Sequence, residues 1–166
     1  MILTTLPLDR VALAILFASL GILGAAFAFQ YLGGLQPCPL CIAQRWPYAA
    51  TIGLSAFAAA VAKDDRRAAR LLLACAGTAF AIGAAIAVHH AGVEQGWWTG
   101  SAECTAPAGG ANLSVAEMTA RLLATPVVRC DEIPWSFLGL SMAAWNALMS
   151  AGLAAVSFLV AWKAKS

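Results

Sequence analysis

Four of the five cysteines fall into two groups that can do redox chemistry. The first is a Cys-x-x-Cys pair in Pro37-Cys38-Pro39-Leu40-Cys41-Ile42-Ala43-Gln44-Arg45, and the second is Cys104 with Cys130. Two such pairs on one side of a membrane permit a relay, in which a thiolate attacks one sulfur of a disulfide through a mixed disulfide. Cys-x-x-Cys also occurs in haem and metal sites. No histidine follows Cys41, so covalent haem attachment is unsupported. Cys104 and Cys130 do not form a second Cys-x-x-Cys, and an oxidising compartment would compete for the thiols, so no metal site is expected.

Pro39 suits the first turn of a helix, which sets both Cys38 and Cys41 at the positive end of a helix dipole, where thiolate is favoured. Arg45 lies one turn beyond Cys41 on the same face, about 6 Å along the axis. It is either an interfacial side chain that snorkels, or a group that lowers the pKa of Cys41 and binds a polar ligand at membrane depth. His89 and His90 are interfacial polar residues, or one of them donates a hydrogen bond or a proton to a bound acceptor.

The elements that must position these residues follow from composition. With 61% hydrophobic and 11% charged residues, the chain has too little polar surface for a soluble domain. A net charge of +2 without a basic run gives no reason to expect a nucleic-acid partner. Four apolar segments are long enough to cross a bilayer as helices: 11–32, 42–62, 71–91 and 142–162. Strands are excluded as spans, because an open sheet leaves backbone groups unpaired in lipid. The expected fold is an all-α membrane protein, a single domain over residues 1–166. It is a four-transmembrane-helix bundle with outer loops over 33–41 and 92–141. The first span reads as uncut, since its apolar run exceeds a signal core.

Arg10, Lys63, Arg66, Arg67, Arg70, Lys163 and Lys165 all fall on one side, which is therefore cytoplasmic together with both termini. All four paired cysteines then face the oxidising side. Pro47 should free the carbonyl of Ala43 and kink the second span. Cys75, in the third, reads as a small packed apolar residue. Trp46, Trp97, Trp98, Trp135 and Trp145 suit an outer aromatic belt, and Trp162 the inner one.

The long loop has Gly, Ala and Pro around Cys104, which place that cysteine on mobile chain. Ser114-Val115-Ala116-Glu117 has the pattern of a capping box and starts a short amphipathic helix through Leu123, lying on the membrane surface or packed on the bundle. A Cys104–Cys130 disulfide would contribute about 3.5 kcal/mol on the chain-entropy estimate, so a purely structural bond is a competing account. A relay also needs a terminal acceptor. A dithiol at the bilayer surface points to one dissolved in lipid, and quinone fits that position.

Taken together, these residues resemble the DsbB family of bacterial disulfide bond formation proteins. The likeness rests on Cys-Pro-Leu-Cys-Ile-Ala-Gln-Arg opening the second span, on His-x-x-x-Val-Glu-Gln-Gly-Trp after the third, and on the loop cysteine pair. Trp135-Ser136-Phe137-Leu138-Gly139-Leu140-Ser141-Met142 entering the fourth span completes it. The resemblance implies an inner-membrane enzyme in which Cys104 and Cys130 form the disulfide that accepts electrons from a DsbA-like periplasmic thioredoxin-fold protein, with Cys104 taking the partner's thiolate. It implies further that Cys38 exchanges with Cys130, and that Cys41 passes electrons to ubiquinone or menaquinone with help from Arg45. The other readings are a four-span scaffold with structural disulfides, and a vitamin K epoxide reductase-like enzyme. In that last family the loop cysteines precede the Cys-x-x-Cys.

Overall fold

A computed structural model describes residues 7–100, 104, 114, 116, 119 and 128–163. Its elements are α1 (Leu8–Tyr31), α2 (Pro39–Ala43), α3 (Arg45–Val61), α4 (Arg66–Glu94), the strands β1 (Ser136–Phe137) and β2 (Leu140–Ser141), and α5 (Met142–Lys163). The helix expected from Ser114 to Leu123 falls largely outside the described residues.

Among the described residues three helices, α1, α4 and α5, are long and apolar enough to cross a membrane. α3 has 17 residues, about 26 Å of helix, slightly less than a hydrocarbon core. Its run starts later than expected because the chain breaks at Gln44, which leaves α2 as a separate turn at the mouth. The break fits Pro47, which has no N–H to offer the Ala43 carbonyl. α4 instead starts earlier than expected. The Asp65 carboxylate accepts from the backbone N–H groups of Arg67 and Ala68, each at 2.9 Å, and so caps the helix at Arg66. At 29 residues α4 extends about 44 Å, so its outer end carries His90 and Glu94 beyond the core of the bundle.

Packing runs α1 on α3, α3 on α4 and α4 on α5, while α1 and α5 barely touch. Small residues let the helices approach. Ala12, Ala58 and Ala69 are fully buried, and the Ser19 and Thr51 hydroxyls meet 3.0 Å apart between α1 and α3. At Gly83 a Cβ would come within 3.1 Å of the Pro47 ring, so α4 can pass α3 there only as glycine or with local shift. The large apolar side chains Phe17, Phe57, Leu71 and Trp162 are exposed, which suits a surface facing lipid. Cys75 also points outward, so it does not pack into the bundle as expected. This is a helical membrane protein.

The hairpin β1–β2 was not expected from the sequence. Ser136 pairs with Ser141 and Phe137 with Leu140, around a turn in which Leu138 and Gly139 both have positive φ, as a type I′ turn requires. The Trp145 indole N–H donates to the Phe137 carbonyl at 3.0 Å and holds the hairpin on α5. Ser141 accepts from the Ala144 N–H and donates to the Glu94 carboxylate, which ties the start of α5 to the end of α4.

Candidate active site

The Cys-x-x-Cys pair brackets the first turn of α2. Cys38 is its N-cap, and the Cys41 backbone N–H donates to the Cys38 sulfur at 3.2 Å. The two sulfurs lie 3.0 Å apart as free thiols. The second pair is joined as the Cys104–Cys130 disulfide, with Cα atoms 5.2 Å apart. Cys38, Val93, Cys104 and Cys130 form one buried cluster, with Leu40, Cys41 and Val128 against it. The two pairs are thus adjacent, and Cys38 is the member of the first pair buried among the second. Cys104 is 2% exposed and packs on Gly100 and the Val93 side of α4, while the residues that flank it lie outside the described ones.

The two thiols are unequal. The Cys38 thiol is pulled well below the ordinary thiol value, first by its hydrogen bond from Cys41 and then by the facing His90 ring, against the cost of burial. Cys41 is pushed up, first because the Cys38 sulfur takes its proton in a hydrogen bond and then by burial. Arg45 does not reverse this. Its Nη1 donates to Gln30 Oε1 at 2.7 Å, and its guanidinium lies 4.8 Å from the centre of the Phe27 ring. Lowering of the Cys41 pKa by Arg45 is therefore replaced by lowering of the Cys38 pKa by its own neighbours.

A cavity of about 540 Å³ opens where α1 and α5 part. Cys41, Arg45 and His90 lie in its wall, together with Gln44, Tyr48 and Asn146. Phe29, Trp135, Phe137 and Trp145 form an aromatic lip, with Trp135 5.2 Å from Phe29 and stacked on Phe137 at 6.0 Å. An enclosure of this size, mostly apolar with a few convergent polar groups, has the character of a small-molecule site. Cys38 is not part of its wall, so the pair has one sulfur toward the cavity and one toward the second disulfide.

The structure separates the two histidines. His90 is buried, with Nε2 3.5 Å from the Cys38 sulfur and 3.9 Å from Glu94. His89 is turned away: its ring stacks on Trp98 at 5.7 Å, and its carbonyl accepts the Trp98 indole N–H at 2.8 Å. Gly92 permits this stack, since a Cβ there would lie 2.1 Å from the Trp98 ring. Cys38, Cys41 and His90 place three donor atoms within 4.8 Å of one another. A tetrahedral zinc would hold its two thiolates about 3.8 Å apart, from Zn–S bonds of about 2.3 Å. At 3.0 Å the sulfurs are set instead for closure to a disulfide.

Three residues of the site carried no functional expectation: Gln44, Tyr48 and Asn146. Gln44 lies inside the quoted motif, and Asn146 is a lone amide within an apolar span. Intramembrane polar residues of that kind usually mark a site.

A family model described as "Disulfide bond formation protein DsbB" matches residues 9–160. The chain belongs to the DsbB family. Its relatives include "Disulfide bond formation protein B" of Methylococcus capsulatus, 37% identical, covering 97% of this chain and 99% of the relative. Those of Hahella chejuensis and Xylella fastidiosa strain 9a5c are each 32% identical, the first covering 86% of both chains and the second 87% of this chain and 84% of its own. Membership in DsbB carries disulfide bond formation at a membrane, with a DsbA-like partner.

Proposed function

We propose that the chain is a protein-dithiol:quinone oxidoreductase of the bacterial inner membrane, with both termini cytoplasmic and its four paired cysteines periplasmic. It acts as a single membrane domain over residues 1–166. One observation carries the reading: Cys38 is buried with the Cys104–Cys130 disulfide while its neighbour Cys41 lines the cavity. One short pair thereby touches both a protein disulfide and a lipid-side pocket.

A thiolate of a reduced DsbA-like protein attacks Cys104, breaking the Cys104–Cys130 bond and leaving the electron pair on Cys130. Cys130 then attacks Cys38 of an oxidised Cys38–Cys41 pair, and Cys41 leaves as thiolate. The partner's second thiolate releases its own disulfide and frees Cys104, which attacks Cys130 and expels Cys38. The second pair is rejoined and Cys38 and Cys41 are left reduced. Each exchange forms one S–S bond and breaks one, so two electrons have moved inward.

The cavity fits a quinone head group in size and in lining, with flat aromatic walls and polar groups at one end. Arg45 would hold a carbonyl oxygen and the lip of Trp135 and Phe137 the ring, with His90 in the wall beside Cys41. A quinone bound there would accept the two electrons and two protons that Cys38 and Cys41 give up as they close to a disulfide. Guanidinium N–H groups of Arg45 other than the one given to Gln30 remain as donors toward the pocket. Ubiquinone and menaquinone are both candidates, since neither the aromatic lip nor Arg45 distinguishes their rings.

The test is anaerobic incubation of purified protein with a reduced thioredoxin-fold partner and ubiquinone, following quinone absorbance. The expected result is one quinone reduced per partner disulfide formed. Partner oxidation only in the presence of oxygen, or with quinone untouched, overturns the proposal.

A further inference from the structure

The Cys38 sulfur faces one nitrogen of His90, and what the other nitrogen faces decides which carries the proton. His90 Nδ1 lies 2.7 Å from the side-chain nitrogen of Gln44. An amide nitrogen only donates, so Nδ1 must be the acceptor. The orientation of that amide follows from its partners. Its nitrogen also donates to the Leu40 carbonyl at 3.2 Å, and its oxygen accepts from the Asn146 side-chain nitrogen. The Asn146 oxygen accepts the Tyr48 hydroxyl at 2.5 Å, and Ser150 lies 2.7 Å from that hydroxyl; the Leu40 carbonyl, which can only accept, is the contact that fixes the Gln44 amide. Reversing the Gln44 amide would set its oxygen against the Leu40 carbonyl and its nitrogen against the Asn146 nitrogen. Gln44 is 6% exposed and His90 3%, so each such mismatched contact costs about 1–3 kcal/mol.

We propose that Gln44 is a positioning residue that holds His90 as the Nε2–H tautomer, so that the one ring proton of His90 is presented to the Cys38 sulfur. This rests on the relay described above and deepens it. The proton serves the last exchange: when Cys104 attacks Cys130 and the Cys38–Cys130 bond breaks, the electron pair leaves on Cys38 beside an N–H that stabilises it. A leaving thiol of lower pKa leaves faster. The groups facing His90 are few. Glu94 is on its own helix, Cys38 and Cys41 come from α2, and the Cys130 backbone comes from the loop. The Glu94 oxygen that faces Nε2 lies 3.9 Å away, beyond hydrogen-bond reach, while Ser141 donates to the other oxygen, so Cys38 and the Cys130 backbone remain for the Nε2–H. Without Gln44 nothing on the Nδ1 side selects the tautomer, and a proton on Nδ1 would leave Nε2 as a bare acceptor against a thiolate.

Two measurements test this in the full-length protein, neither needing quinone or partner. The first is 15N NMR of protein labelled at its histidine rings, with the Cys104–Cys130 disulfide intact and Cys38 and Cys41 reduced. The chain has two histidines, and His89→Gln assigns the spectrum. The expected result is an unprotonated Nδ1 and a protonated Nε2 in His90, and a protonated Nδ1, whether in neutral His90 or in an imidazolium, overturns the proposal. The second is the pH profile of Cys38 alkylation, read at that residue by mass spectrometry, in wild type, Gln44→Met, His90→Ala and the double variant. Gln44→Met should shift the Cys38 profile upward so that alkylation at a fixed acidic pH falls about tenfold, one pKa unit. The double variant should lose no more than His90→Ala, because Gln44 acts only through that ring. An unchanged profile in Gln44→Met, or additive losses in the double variant, overturns it. The wild-type spectrum decides the matter should Gln44→Met fail to fold. Failure of quinone reduction would leave both readouts standing, so the two proposals fall separately.

Discussion

Removing the Arg45 side chain isolates its part in acceptor binding. The guanidinium is held from two sides, by Gln30 Oε1 at 2.7 Å and by the face of Phe27 at 4.8 Å, and both contacts fix it in the cavity wall. It therefore loses little freedom when a carbonyl oxygen arrives, and the bond formed is charge-assisted. Such hydrogen bonds contribute about 1.5–3 kcal/mol, which converts to roughly 10- to 150-fold in affinity. Arg45→Ala should raise the KM for ubiquinone within that range and change the rate of partner oxidation at saturating quinone far less. Arg45→Lys should fall between, because an ammonium keeps the charge but lacks the planar fork that stacks on Phe27 while bonding Gln30. Gln30→Ala supplies a control. It releases one tether, leaves the charge, and should give a smaller rise than Arg45→Ala. The assay is steady-state quinone reduction with reduced partner, varying one substrate at a time. A wild-type KM for quinone in Arg45→Ala would refute the reasoning and return Arg45 to a snorkelling residue.

Three further outcomes follow from the same geometry. Cys41→Ser removes the sulfur in the cavity wall while keeping its size; quinone reduction should vanish with the helical spectrum unchanged, and retained turnover would exclude the relay. Cys38 carries a pH dependence: its folded pKa lies below that of the unfolded thiol, so between the two values the unfolded chain binds more protons and the reduced protein gains stability as pH rises. That gain is complete at the ordinary thiol pKa and lost as pH falls through the folded value. Unfolding temperatures of the reduced protein and of Cys38→Ala across that window check it, and parallel profiles would count against a depressed Cys38. Gly92→Ala forces a Cβ to 2.1 Å from the Trp98 ring, so the indole must leave His89. Overpacking of this kind costs about 1–3 kcal/mol, visible as a lower unfolding temperature and altered tryptophan fluorescence.

The sequence by itself determined the class of the protein and the location of its chemistry. Lipid dictates that long apolar runs be helices, so composition was enough to read the bundle. The spacing of Cys38, Cys41 and Arg45 is local, and a single helical turn fixes what such spacing can mean. What the sequence left open was long-range or directional. Consecutive residues on a helix point about 100° apart, so His89 and His90 could not be told apart until α4 had met α2. The same holds for Gln44 and Asn146, 102 residues apart in the chain and joined by a hydrogen bond. Arg45 gave its depth through spacing, but its partner Gln30 comes from α1 and was invisible locally. For that reason the expected effect of Arg45 on Cys41 went astray, and Cys38 emerged as the favoured thiolate. Cys104 is buried against Cys38 because a small apolar sulfur gains by packing there, a contact that the composition of its own stretch does not encode. The Cys-x-x-Cys was legible as a redox pair from one turn of chain. That one sulfur faces a disulfide and the other a cavity was decided only when three helices and a distant loop were brought together.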